Sequence, residues 1–296
     1  MEMSSTISKW KMEHEATVKE IRYSLHLIRQ SLLTQFGLAI IIVLLFTAIF
    51  APWLAPHDPM KVKTRDRLKP PSKEHLLGTD DMGRDILSRI ISGSRISIMV
   101  GVVVVSISLS IGVPLGAVSG YFGGKIDSIL MRITDIFLGL PSLILALAIA
   151  AALGRGIMNT MIAISITWWP WYARLVRGQT LSIREMGYIE AARAAGGSSF
   201  RIVLTHVLPN CISPIIVTAS MDMGYTILAA AALGFIGLGA QPPSPEWGLM
   251  VSIGRTYMMN YPWVATFPGL AILITVLGFN LVGDGLRDLL SPRLRR

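Results

Sequence analysis

EAARAAGGSSFRIVLTHVLPN, residues 190–210, is a polar stretch set between two long apolar runs. Glu190, Ala191 and Ala192 open a short helix that Ala194 and Ala195 extend, alanine being the best helix former. The small side chains let another protein approach this backbone closely. Gly196 and Gly197 break the helix, because glycine adopts the positive φ of a tight turn. Ser198 or Ser199 is placed to cap a second short helix. Pro209, after Leu208, is expected to stop that helix before the next apolar run.

On both sides of this loop the composition suits a bilayer. Hydrophobic residues make up 52% of the 296 and charged residues 15%, with a mean hydropathy of +0.57, whereas soluble domains are roughly 25% charged. Several uncharged runs reach the roughly 20 helical residues that cross a membrane. They predict six spans, at about 36–56, 95–121, 134–154, 157–177, 211–239 and 263–284. The ten-residue alternation of a barrel is absent, so the expected class is an all-α polytopic membrane protein with six transmembrane helices. The first run starts too late and extends too far for a cleaved signal, and reads as a permanent anchor.

The expected organisation is a cytoplasmic amphipathic tail at 1–35, a first span with an extracytoplasmic loop at 36–94, a core at 95–285 containing the loop 184–210, and a cytoplasmic tail at 286–296. Six spans put both termini on one side. That side would hold 16 of the 27 lysines and arginines, and the other side 11, the bias expected of a cytoplasmic face. The net charge of +9 therefore reads as membrane topology. No basic stripe with interleaved aromatics occurs, so no nucleic-acid partner is expected. In the tail, Val18, Ile21, Leu25, Ile28 and Leu32 share one helical face, which suits a helix lying on membrane lipid.

Cys211 is the only cysteine, so no intrachain disulfide is possible. His14, His26, His57, His75 and His206 are scattered and no HExxH or CxxC occurs, so no metal site is expected. The 15 methionines read as apolar packing. Residues 75–95, HLLGTDDMGRDILSRIISGSR, suggest a helix beginning near Met82, capped by Asp80 or Asp81. Arg84, Asp85 and Arg89 are expected to face water there, and the acidic residues to favour a helix start, not catalysis. Gly112, Gly116 and Gly120 recur every four residues, a small-residue face for packing within the chain or at a subunit interface. Asp222 is the one charge well inside an apolar span. A carboxylate at mid-membrane costs about 2.5–3.5 kcal/mol, so Asp222 is expected to face a wet cavity or a partner.

Four motifs in order carry a family resemblance: the loop at 190–209, HLLGTDDMGRDILSR at 75–89, AALGFIGLGAQPPSPEWG at 231–248 and NLVGDGLRDLLSPRLR at 280–295. From about residue 36 to 294 the chain resembles permease subunits of ATP-binding-cassette importers, and most of all the C-type subunit of dipeptide and oligopeptide permeases, whose relatives also carry nickel or glutathione. His206 stands where the family's loop pattern has isoleucine.

The resemblance implies a type I importer fold of the methionine-transporter kind. It implies a homologous B-type permease subunit, two ATPase subunits and an extracytoplasmic substrate-binding protein as partners, in the cytoplasmic membrane. Glu190, Ala191, Ala192, Gly196, Leu208 and Pro209 would couple to the ATPases. Asp222 would line the translocation path, and Gln241, Pro242, Glu246 and Trp247 would meet the binding protein. The chain has no GxxxxGK[ST], so ATP and Mg would be held by the partner ATPases and no cofactor by this chain. A self-sufficient channel or secondary transporter would need several ionisable residues within spans, and an embedded enzyme a catalytic cluster there. Asp222 alone meets neither need.

Overall fold

The computed structural model describes residues 31–290. Residues 1–30 of the amphipathic tail expected at 1–35, and the last six residues of the sequence, lie outside that range, and Leu32–Gln35 of the expected tail belong to the first helix. Among the described residues the regular structure is helical, with one isolated bridge between Thr79 and Asp85. The chain runs through α1 Leu32–Ile49, the short α2 Ala51–Leu54, α3 Ile86–Phe122, α4 Gly124–Leu138, α5 Ser142–Leu153 and α6 Ile157–Arg184. It continues with α7 Gly187–Ala194, α8 Ser199–Ile202, α9 Leu208–Ile236, α10 Trp247–Arg255 and α11 Trp263–Leu290.

Four helical stretches are long and apolar enough to cross a membrane: Leu32–Ile49, Ile86–Phe122, Ser199–Ile236 and Trp263–Leu290. The bent pair α4 and α5 makes a fifth if it counts as one span. The six expected spans differ from this in two places. The run 134–154 is not straight, because α4 ends at Leu138, α5 begins at Ser142 and the two meet at 86°. Pro141 has an extended ψ of 117°, and a proline drives the residue before it out of the helical region. The run 157–177 becomes the 28-residue α6, which has the length of a span but not the hydropathy. Asn159, Trp168, Trp169, Trp171 and three arginines dilute it.

Buried glycines bring α3 and α6 together. A Cβ on Gly112 would lie 2.4 Å from the Trp169 carbonyl, and one on Gly116 2.4 Å from the Ala173 carbonyl. The glycine stripe therefore serves packing inside this chain. Tyr172, Ile164, Val104 and Leu233 form a buried cluster shared by α3, α6 and α9. Large apolar side chains remain exposed along the spans, among them Phe36, Ile136 and Leu273, as a lipid-facing surface requires.

The second half of the loop 184–210 is not separate from the next span. α8, a π turn at Val203–Val207 and α9 run on without a break. Pro209, expected to stop a helix, sits in the first turn of α9. There its missing N–H is tolerated, and the wider π spiral just before it makes room. The two ends of the bundle are thus distinct. One carries residues 184–207 and the junction of α3 with α4. The other carries the loop 55–85 and residues 237–262.

Candidate functional site

At the first end, α7 is rooted by Ile189, which is fully buried among Tyr121, Ile183, Ile202, Val207 and Cys211. Two polar links surround this root, one between α6 and α3 and one from α7 itself. Arg184 donates to the Gly120 carbonyl at 2.9 Å, and Arg193 Nε donates to the Tyr121 hydroxyl at 3.2 Å. Glu190, Ala191 and Gly196 are exposed on the outer side. Gly196 has φ +81° with nothing within 4 Å of a Cβ built on it. Its glycine is thus required by backbone conformation and not by crowding. Ser198 caps α8 by accepting from the Arg201 amide.

Two residues of the expected coupling set turn inward. Ala192 of α7 and Leu208, the first residue of α9, both pack against the buried cluster that holds Tyr121, Ile183, Ile189 and Val207. In their place Tyr188 and Phe200 are exposed at 44% and 74%. Sequence periodicity missed these two, although aromatics in a polar loop were a visible signal.

The opposite end is more tightly built than its charge suggested. Arg84, Asp85 and Arg89, expected to face water, are all buried. Asp80 accepts from the Met82 and Arg84 amides at 2.9 Å and from Arg84 Nε at 2.7 Å. Arg89 donates to the Pro59 carbonyl at 2.9 Å, to Pro243 at 3.3 Å and to Ser244 at 3.0 Å. It thereby joins two loops that are far apart in sequence. The helix begins at Ile86 and not near Met82, with Asp85 as its cap accepting from the Ser88 amide at 2.8 Å. Burial alone would raise the Asp85 carboxyl, but the Ser88 hydroxyl and amide and the His75 ring outweigh it and hold it below the usual range. His57 and His75, scattered in sequence, meet here with ring centroids 4.7 Å apart.

Of the residues expected to meet a binding protein, Gln241 and Pro242 are exposed, but Glu246 and Trp247 are buried. Glu246 caps α10 through the amides of Gly248 and Leu249 at 2.8 and 2.7 Å. Its burial pushes the carboxyl up, and those two amides only partly restore it. Trp247 donates to the Ile90 carbonyl at 3.0 Å. Trp247 thus fastens α10 to α3, while Glu246 closes the first turn of α10 itself. Asp222 is half-buried on α9 and faces Tyr172 and Trp168 of α6.

The comparisons with known proteins fit this arrangement. The family described as "Binding-protein-dependent transport system inner membrane component" matches residues 112–296. The chain belongs to this family. The "N-terminal TM domain of oligopeptide transport permease C" matches residues 25–71 of the same permease. Similar relatives include a "Probable D,D-dipeptide transport system permease protein DdpC" of Escherichia coli K12, 51% identical over 90% of each chain. The "Dipeptide transport system permease protein DppC" of Alkalihalophilus pseudofirmus is 47% identical over 90% of this chain and 88% of its own. A "Glutathione transport system permease protein GsiD" of Pectobacterium atrosepticum is 45% identical over 90% and 89%. Among solved structures, an inward-facing MetNI methionine ABC transporter chain aligns with a TM-score of 0.57 at 22% identity, covering 69% of the permease and 97% of that chain. It shares the type I importer fold. The permease is a multi-pass membrane component of a binding-protein-dependent transport system.

Proposed function

We propose that the permease imports dipeptides or short oligopeptides across the cytoplasmic membrane, with the loop 184–210 and both termini in the cytoplasm. The dipeptide permeases among its relatives support the substrate class. In this reading a homologous B-type permease completes the pore, and two ATPase subunits hold the ATP and Mg, so this chain carries no cofactor. The observation that carries the proposal is α7. Glu190, Ala191 and Gly196 face outward beside Tyr188 and Phe200, while Ile189 is locked into the ends of α3, α6 and α9. An ATPase pressing on that surface moves the three long helices α3, α6 and α9 together. ATP-driven closure of the ATPases then rocks the bundle between inward- and outward-facing states. A binding protein delivers substrate at the other end, near Gln241 and Pro242. The same architecture would also serve glutathione, itself a short peptide, as one relative's name suggests, or nickel.

Uptake by the reconstituted complex tests the substrate. A labelled dipeptide should accumulate in proteoliposomes with ATP and binding protein, and a hundredfold excess of glutathione should compete less well than unlabelled dipeptide. Accumulation of glutathione or nickel without dipeptide uptake would replace this substrate assignment. Orientation is tested by single cysteines in a Cys211→Ser background. Positions Lys63 and Pro243 should label from outside the cell and Ser182 should not, and the reverse pattern would overturn the proposed sidedness.

A further inference from the structure

His57, His75 and Asp85, spread along the loop 55–85, come together at the end of the permease opposite α7. Each offers one ligand atom, and the three atoms lie within 4.8 Å of one another. His75 Nδ1 is 2.9 Å from Asp85 Oδ1, and His57 Nδ1 is 3.7 Å from the same oxygen. Tetrahedral Zn²⁺ with ligands at about 2.0–2.1 Å sets its ligand atoms roughly 3.3 Å apart, a value that these two distances bracket. A cavity of about 180 Å³ opens beside the trio, lined also by Asp58, Lys61, Lys63 and Gly83.

The surroundings are arranged as an outer shell. His75 is 2% exposed, and its second nitrogen, Nε2, lacks a hydrogen-bond partner yet lies 3.9 Å from Asp66 Oδ2. A ligating histidine usually turns its other N–H to a carboxylate. His57 Nδ1 is also buried without a hydrogen-bond partner. The His57 backbone is held by its amide donating to Ser88 Oγ at 3.0 Å, and that hydroxyl donates to Asp85 Oδ2 at 2.7 Å. Asp85 Oδ2 is thus occupied by Ser88, which leaves Oδ1 for the histidines.

We propose that His57, His75 and Asp85 bind a first-row transition-metal dication, with Zn²⁺ preferred, which pins the loop 55–85 to the start of α3. Two imidazoles and one carboxylate select zinc over magnesium or calcium, which take all-oxygen shells. The fourth position faces the cavity, where Lys61 and Lys63 favour an anionic ligand such as hydroxide or chloride. A second trio, Asp66, Glu74 and His75, also lies within ligand distance. Glu74 is exposed there, so that site would lose one ligand to water.

The test uses the complex purified through the full-length permease, stripped with chelator and titrated with Zn²⁺ or Co²⁺. The wild-type complex should take up one metal that the His57→Ala and His75→Gln complexes do not, with the intense visible bands of four-coordinate cobalt. Asp66→Asn should weaken binding by roughly 10–100-fold, and Glu74→Gln should leave it unchanged. Zn²⁺ should raise the melting temperature of the wild-type complex and not that of His57→Ala. Equal metal content in wild-type and His57→Ala complexes, loss of metal with Glu74→Gln, or octahedral cobalt spectra would each overturn the assignment. If a histidine variant fails to assemble, the wild-type stoichiometry and cobalt spectrum decide alone.

Discussion

The Arg193 guanidinium lies 5.0 Å above the Tyr121 ring, and its Nε donates to the Tyr121 hydroxyl. Arg193 belongs to the exposed helix α7 and Tyr121 to the last turn of α3. The pair therefore joins the proposed motor-facing surface to a membrane span. An exposed cation–π contact contributes about 0.5–1 kcal/mol. Arg193→Ala should lower uptake per ATP hydrolysed by roughly 2–5-fold, and Tyr121→Phe, which keeps the ring, by less. The ratio is measured in proteoliposomes, and an unchanged ratio in Arg193→Ala would remove the joint from the coupling path.

Gly196 separates conformation from contact. Its φ of +81° sits in open space, so a side chain there meets no clash but adopts a left-handed backbone costing about 1–2 kcal/mol. Gly196→Asn should be the mildest replacement and Gly196→Asp, which adds charge, the worst. We expect normal membrane levels of Gly196→Asp with weak ATPase co-purification and lost uptake. Full uptake with the ATPases still bound would contradict the coupling role.

Arg89 holds three carbonyls on two loops and lies 3.5 Å from Asp80. Removing one partner of a buried ionic network typically costs about 3–5 kcal/mol. Arg89→Ala should lower the amount of permease in the membrane and speed proteolysis near Pro59 and Ser244. Arg89→Lys should rescue little, since a single ammonium cannot reproduce the guanidinium fork. Wild-type levels and proteolysis in Arg89→Ala would show that the clamp contributes no stability.

Asp222 faces Tyr172 and Trp168 of its own chain. Asp222→Asn should give an assembled complex with altered uptake, most strongly for substrates bearing a free amino terminus, since a carboxylate attracts an ammonium group. Asp222→Leu should still insert, because it removes the cost of burying a charge. Co-purification of the partner permease with both variants checks this. Its loss in both would mark Asp222 as a structural group between subunits.

The spans built on long uncharged runs, α1, α3, α9 and α11, were legible because apolar length alone specifies a membrane helix. The break in 134–154 was signalled by Gly139, Leu140 and Pro141, but a hydropathy run averages over it. The loop 190–210 was legible in its helix, its Gly196 turn and its Ser198 cap, which depend on neighbours in sequence. Arg84, Asp85 and Arg89 were misread for the opposite reason. Charges beside apolar i, i+4 pairs resemble a solvated helix face, and the carbonyls that satisfy Arg89 lie 30, 154 and 155 residues away. Glu246 and Trp247 failed likewise, since nothing local separates a buried cap from a surface turn. His57 and His75 meet only once the loop has folded.

The unbroken run Ser199–Ile236 has a mechanical consequence. Its 38 residues form a beam roughly 57 Å long at 1.5 Å per residue. Tilting such a beam by about 5° sweeps its far tip through roughly 5 Å. A small stroke applied at Phe200 is therefore amplified at Ile236 on the opposite face, beside the segment Gln241–Pro242. The π turn at Val203–Val207 lies close to Phe200, so under the proposed coupling a substitution that regularises it should change the uptake obtained per ATP hydrolysed.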